Sequence, residues 1–108
     1  MRRISVTMAA IAALLLGVGL AAPAQAAVPA KKYNMQQVQQ HSSPTDCWSV
    51  INGKVYNLTS WVNRHPGGSS RIIALCGRDG SAMFNGMHGM DPRAKGVLHQ
   101  FKIGRLSR

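Results

Sequence analysis

A small α+β fold is what the sequence predicts, and three observations predict it. Two β-rich runs, CWSVI and KVYNL, are joined by Asn52-Gly53, the dipeptide that most favours a two-residue type I′ hairpin turn. The apolar stretches that follow each begin near a capping residue and stop at a glycine or a turn, as short helices do. Helices this short are not stable alone, so something central must gather their apolar faces. The expected architecture is a small mixed sheet carrying short helix pairs that form a pocket.

The N-terminus is set apart from that fold. Arg2 and Arg3 precede an uncharged run from Ile4 to Ala22, and APAQAA follows. A basic start, an apolar middle and small residues at Ala24 and Ala26 describe a secretory signal peptide over 1–26, cut after Ala26. A retained membrane anchor is the alternative, but the run falls short of the ~20 residues a span needs and Pro23 closes it. The arginine pair hints at twin-arginine export, although its surroundings match poorly, and no cysteine sits at the cut to take a lipid. The chain is therefore expected in the periplasm or secreted. Residues 27–32 read as a flexible basic leader, and 33–108 as one domain.

Thirteen Lys and Arg face three acids, a net charge of +10, and no glutamate occurs. Charge of this density favours an anionic partner through long-range attraction. Nucleic acid is disfavoured by export and by the lack of a basic helix or an aromatic-studded basic stripe. An acidic redox protein or an anionic membrane surface is the expected partner of a monomer. Colloidal solubility is the plainer alternative.

Along the domain, NMQQVQQH reads as a short helix with Asn34 as N-cap and Met35, Val38 and His41 on one face, broken by SSPTD. The hairpin follows. Thr59 is expected to cap a single turn, SWVN, that runs into His65-Pro66-Gly67-Gly68. Ser69 or Ser70 can cap RIIALC, with Ile72, Ile73 and Leu75 packed and Gly77 as the stop. Asp79 can cap GSAMFNGM. Asp91-Pro92 places a capping carboxylate before proline at the first helical position, and that helix is read as carrying Val97, Leu98 and Phe101. His41 is read as a helix-end structural residue and His99 as an exposed helix residue.

Cys47 and Cys76 are the two cysteines. In an oxidising compartment an even count suggests a bridge, and two buried free thiols are the alternative.

His65 follows one short helix and His88 another, with two capped segments between them that can run out and back. Around them lie the large apolar residues Ile51, Val55, Leu58, Trp61, Ile72, Phe84, Val97 and Phe101. Two imidazoles across an apolar slot can ligate an iron from opposite sides, one nitrogen on the metal and the other fixing the tautomer. Pro66 restricts the backbone before it, and the glycines permit a sharp turn and a close approach.

DCWSVINGKVYNLTSWVNRHPGG, then IIALCGRDGSAMFNGMHG, then VLHQFKIGRL resembles the cytochrome b5 family, from about Tyr33 to Leu106. The most specific elements are His65-Pro66-Gly67-Gly68, the Asn52-to-Tyr56 hairpin, and the Cys76-Gly77…Phe84…His88-Gly89 run. The resemblance implies that His65 and His88 are the axial ligands of one non-covalent haem b. It also implies pocket positions at Ile51, Leu58, Trp61, Ile72, Phe84, Val97 and Phe101, with Val55, Pro66, Gly67 and Met87 beside them. The chain departs from the family pattern at Gly80-Ser81, which stands for Ala-Thr and is expected to loosen a helix start. It departs again at Trp61, where Phe or Leu is usual. Arg64, Ser69, Ser70 and Arg71 stand where an acidic docking rim is expected.

A doubly ligated iron has no vacant position for oxygen or substrate, so the function implied is outer-sphere, one-electron transfer and not an enzyme's reaction. The alternative is a haem-carrying module, or the haem subunit of a membrane redox complex. A zinc site from Cys47, Cys76, His65 and His88 is a rival on paper, but the spacings lack the paired units such sites use.

Overall fold

The computed structural model describes residues 29–108; the signal-peptide assignment, its cut, and residues 27 and 28 of the leader lie outside the described residues. In chain order come β1 (Lys32–Tyr33), α1 (Met35–Gln39), β2 (Ser42–Ser43), β3 (Asp46–Ile51) and β4 (Lys54–Asn57). A 3-10 turn (Thr59–Trp61) leads to α2 (Ser69–Ile73), β5 (Arg78–Asp79), α3 (Ser81–His88), α4 (Pro92–His99) and β6 (Lys102–Leu106). None of the helices is long and apolar enough to cross a membrane, among the described residues.

The sheet runs β1-β6-β4-β3-β2, with β5 also on β3. β1 with β6 and β3 with β5 are parallel and the other pairs antiparallel, so the sheet is mixed, as expected. Asn52 at φ 52° and Gly53 at φ 79° carry the hairpin turn, both left-handed as a type I′ turn demands. Two turn residues fix the register, Ile51 opposite Lys54 and Val50 opposite Val55.

Alternation along β3 and β4 then divides the apolar residues between the two faces of the sheet. On one face Cys47, Ile51, Tyr56 and Leu58 pack with Val62, Ile72, Leu75 and Cys76. On the other, Val38, Val50 and Val55 pack with Tyr33, Met35, Trp48, Ile103 and Leu106. Ser49 is fully buried on the first face, and its Oγ donates to the Arg78 carbonyl at 3.0 Å.

A disulfide joins Cys47 to Cys76, 29 residues apart, and ties β3 to the turn after α2. Closing a loop of that length stabilises by roughly 3–4 kcal/mol in the chain-entropy picture. Bridged sulfurs are not thiolates, so the zinc reading loses two of its four ligands.

Several local expectations hold. Asn34 forms a reciprocal capping box with Gln37, each backbone N–H donating to the other's side chain at 2.8 Å. Asp91 Oδ1 accepts from Arg93 N–H at 2.9 Å, with Pro92 at the first helical position. Others are corrected. Gly77 is left-handed at φ 78°, but it does not end the helix as expected: α2 has already stopped at Ile73 with Ala74 as its C-cap. Thr59 lies inside its turn and does not cap it; its hydroxyl accepts from Cys47 N–H at 2.9 Å and donates to Asn57 Oδ1 at 2.7 Å. Neither Ser69 nor Ser70 caps α2, whose N-cap is Gly68 with no side-chain bond. Phe101 lies past the end of α4, after the C-cap Gln100. The leader also reaches less far than expected. Lys31 accepts from Arg105 N–H at 2.9 Å and Lys32 pairs with Arg105, because β6 presents a free edge that takes up the incoming chain.

Candidate cofactor site

One arm of the site is the turn at His65. The His65 N–H donates to the Trp61 carbonyl at 3.0 Å, which carries the 3-10 turn into the motif. Its ring Nδ1 lies 3.1 Å from the Gly68 carbonyl. A carbonyl can only accept, so Nδ1 holds the proton and Nε2 keeps its lone pair. The two glycines are needed for different reasons. Gly68 sits at φ 102°, where a side chain is strained. At Gly67 a Cβ would stand 2.8 Å from His65 Cε1, because the ring folds back over this residue. The Arg64 guanidinium lies 5.4 Å from the centre of the Trp61 ring.

The other arm is α3, with His88 as its last residue. Asp79 Oδ1 accepts from Ser81 N–H at 2.9 Å and so caps the helix from just outside it. Asn52 N–H donates to Ser81 Oγ at 2.7 Å, and the side-chain amides of Asn52 and Asn85 exchange two bonds at 3.0 and 2.9 Å. The loosening expected at Gly80-Ser81 therefore does not occur. Ser81 supplies the acceptor, and Gly80 leaves room where a Cβ would come within 2.6 Å of Leu75 Cδ2. Asn85 is three residues before His88, so the hairpin tip and the second histidine belong to one rigid connection. The Phe84 ring stands 5.3 Å from the His88 ring.

Between the arms lies a cavity of about 430 Å³. His65 and His88 both line it, with the expected Ile51, Leu58, Trp61, Pro66, Gly67, Ile72, Phe84, Met87 and Val97. Two expected residues do not. Val55 faces the other side of the sheet with Val38 and Val50, since it pairs with Val50 and not with Ile51. Phe101 packs behind the wall, its ring 5.6 Å from that of Trp61.

Leu75, Met83, Ala94 and Leu98 also line the cavity, as do Arg71, Asp91 and Arg93. Helical spacing was the signal for the apolar four: Leu75 is three residues after Ile72, Met83 four before Met87, and Ala94 three before Val97 and four before Leu98. The signal for the charged three is weaker, because a surface arginine and one that reaches over a cavity read alike. His41 and His99 stand away from it. The His41 ring stacks on Trp48 at 3.7 Å and its Nδ1 lies 2.7 Å from Asp46 Oδ1, while His99 is exposed.

The residues fit the group that the resemblance implies. The His65 and His88 ring centres are 6.3 Å apart. Two metal–nitrogen bonds of about 2 Å, with each ring centre about another ångström behind its nitrogen, require a separation of roughly 6 Å. The walls around the histidines are apolar, as a flat hydrophobic macrocycle needs, and the lone pair of His65 Nε2 is left free by the bond at Nδ1.

Comparison with known proteins bears on the same residues. Over 34–107 the chain matches the family described as Cytochrome b5-like Heme/Steroid binding domain. It is 39% identical over 76 residues to cytochrome B5 isoform D of Arabidopsis thaliana, covering 70% of this chain and 54% of that protein. It is 34% identical over 80 residues to Delta(5) fatty acid desaturase A of Dictyostelium discoideum, covering 74% of this chain and only 17% of that protein. The corresponding figures for the NADH nitrate reductase of Volvox carteri are 38% over 76 residues, 70% and 9%. The chain thus spans a minor part of the larger relatives it matches. Among solved structures it is similar to cytochrome b558 of Ectothiorhodospira vacuolata, described as a prokaryotic homologue of cytochrome b5. The TM-score is 0.65 at 34% identity, covering 71% of this chain and 99% of that one.

Proposed function

We propose, for a chain that belongs to the cytochrome b5 family, that His65 and His88 hold the cofactor iron from opposite sides in an exported one-electron carrier. Domains of this family bind non-covalent b-type haem and typically carry electrons. The observation that carries the finer reading is the pair of imidazoles 6.3 Å apart across one cavity, one of them with its tautomer fixed by the Gly68 carbonyl.

Bound haem supplies a reversible one-electron couple, tuned by its axial ligands and surroundings. The chain's residues supply the rest. His65 and His88 would together hold the iron, which would leave no open position for a substrate and would favour transfer at the exposed edge. Ile51, Leu58, Ile72 and Leu75 keep water from the inner wall. The disulfide and the hairpin-to-α3 bonds hold both arms still, so little rearrangement accompanies a change of charge. Export is supported by the Arg2-Arg3 leader with its small-residue cut, and by a bridge of the kind that persists in oxidising compartments. The net charge of +8 left after the leader is cut (eleven Lys and Arg, thirteen less Arg2 and Arg3, against three acids) supports an acidic redox partner or an anionic membrane surface.

The test is the absorption spectrum of the purified protein before and after dithionite. A low-spin b-type spectrum is expected, and it should be lost in His65→Ala and in His88→Ala. A folded protein that takes up no added haem sinks the reading.

A second reading, a haem subunit or haem-delivering module, is favoured by one observation: the desaturase and nitrate reductase relatives are far longer than the stretch that matches. Transfer to apo-myoglobin separates the two, since a delivery module surrenders haem readily and a carrier of electrons retains it.

A further inference from the structure

Apart from its histidines, the cavity is walled by apolar side chains with three ionic groups among them, Arg71 on α2 and Asp91 and Arg93 at the start of α4. Asp91 is already engaged, its Oδ1 accepting from the Arg93 N–H. The two guanidiniums are not: the one ion pair among the described residues joins His41 to Asp46, away from the cavity. Both arginines are exposed, so they stand at the mouth and not against the inner wall. A mouth bearing two unpaired arginines calls for a ligand that is apolar in its body and anionic at one edge. Protohaem is such a molecule, with two propionate carboxylates on one side of the ring.

We infer that Arg71 and Arg93 bind the propionates of the haem, and that they thereby set which edge of the macrocycle faces outward. The inference rests on the haem reading above and goes beyond it, since it assigns the acid-binding part of the site. Guanidinium and carboxylate match as a planar fork, with charge-assisted bonds stronger than neutral ones. Solvent exposure limits the gain for each pair. Asp91 opposes any carboxylate brought to the same place, which is why its retention by the α4 backbone matters. The result is an ionic-strength-dependent share of haem affinity that a purely apolar pocket lacks.

The experiment compares protohaem with its dimethyl ester, which keeps the ring and iron and removes both charges. Rates of porphyrin loss to apo-myoglobin would be measured for the unaltered protein, Arg71→Gln, Arg93→Gln, the double variant, and Arg78→Gln as a control off the cavity. Each cavity substitution should speed protohaem loss by about two- to fivefold and the double by about tenfold, as exposed pairs allow. Loss of the ester should not change, and added salt should affect only protohaem. Equal retention of acid and ester by the unaltered protein overturns the pairing while leaving the haem site standing. So does a loss that rises alike for both porphyrins in the variants, because the arginine stems then act by packing. A protein that binds neither porphyrin removes the haem reading itself, and the pairing with it.

Discussion

At Gly67 the smallest possible addition, one methyl group, meets the His65 ring at 2.8 Å. Gly67→Ala should displace the ring, break its bond to the Gly68 carbonyl and weaken haem binding by about tenfold, as loss of a ligand's supporting contact does. Because Gly67 is exposed, the urea midpoint of the apoprotein should barely move. Gly68→Ala should behave differently. Its φ of 102° costs a side chain about 1–3 kcal/mol, so apoprotein and holoprotein should both be destabilised. Running haem transfer and urea titrations on both variants separates the two. That both glycines matter was legible in the motif; that one serves the neighbouring ring and the other the backbone was not, because only the folded turn brings Cε1 back over Gly67. Tyr56 makes a second prediction at this scale. Burial raises its phenol above the ordinary 10.0. A raised folded value means that the unfolded chain releases the proton first, so this stability is complete below pH 10.0 and is lost as pH rises through and beyond it. Urea midpoints that fall above that pH, and fall less in Tyr56→Phe, are the expected outcome.

Among the elements, the hairpin was the most legible and also the source of one error. Asn52-Gly53 specified a two-residue turn, and that turn obliges Val55 to pair with Val50. Alternation then sends Ile51 and Val55 to opposite faces, so both could not have lined one cavity. Counting from the turn excludes Val55 without any structure. Phe101 is a different case: its helix ends at His99, and helix ends depend on competition between short-range bonds that sequence pattern resolves poorly. The helices also offer a stability test. Gly86 in α3 and Gly96 in α4 are exposed, and a Cβ at either would meet nothing within 4 Å. Gly86→Ala and Gly96→Ala should each stabilise by about 0.5–1 kcal/mol through the unfolded chain's lost freedom and better helix propensity. Thermal unfolding of the apoprotein checks this, and a lower Tm in either variant would count against it.

Over the whole molecule, the eleven basic residues that follow the Arg2-Arg3 leader (thirteen less Arg2 and Arg3) against three acids make a field that acts on any charge at the centre. Positive surroundings favour the less positive, reduced form of a haem iron, so the midpoint potential should be higher than in acidic members of the family. Screening by salt removes part of that field, and the potential should therefore fall as ionic strength rises. A potentiometric titration at low and high salt tests both statements, and a midpoint that is flat or rises with salt contradicts them. This scale was readable from composition alone. What composition could not provide was where charge and cavity meet, since Arg71 and Arg93 become part of a site only through the way α2 and α4 face each other.

The amide exchange between Asn52 and Asn85 has a practical consequence for anyone who wants to cut or extend this protein. An exposed two-residue hairpin tip of Asn and Gly is ordinarily the first place to splice in a tag, a linker or a whole domain. Here the same tip supplies the anchor of α3, through Ser81 and Asn85, three residues short of His88. An insertion between Asn52 and Gly53 would be tolerated by the strands and felt at the cofactor.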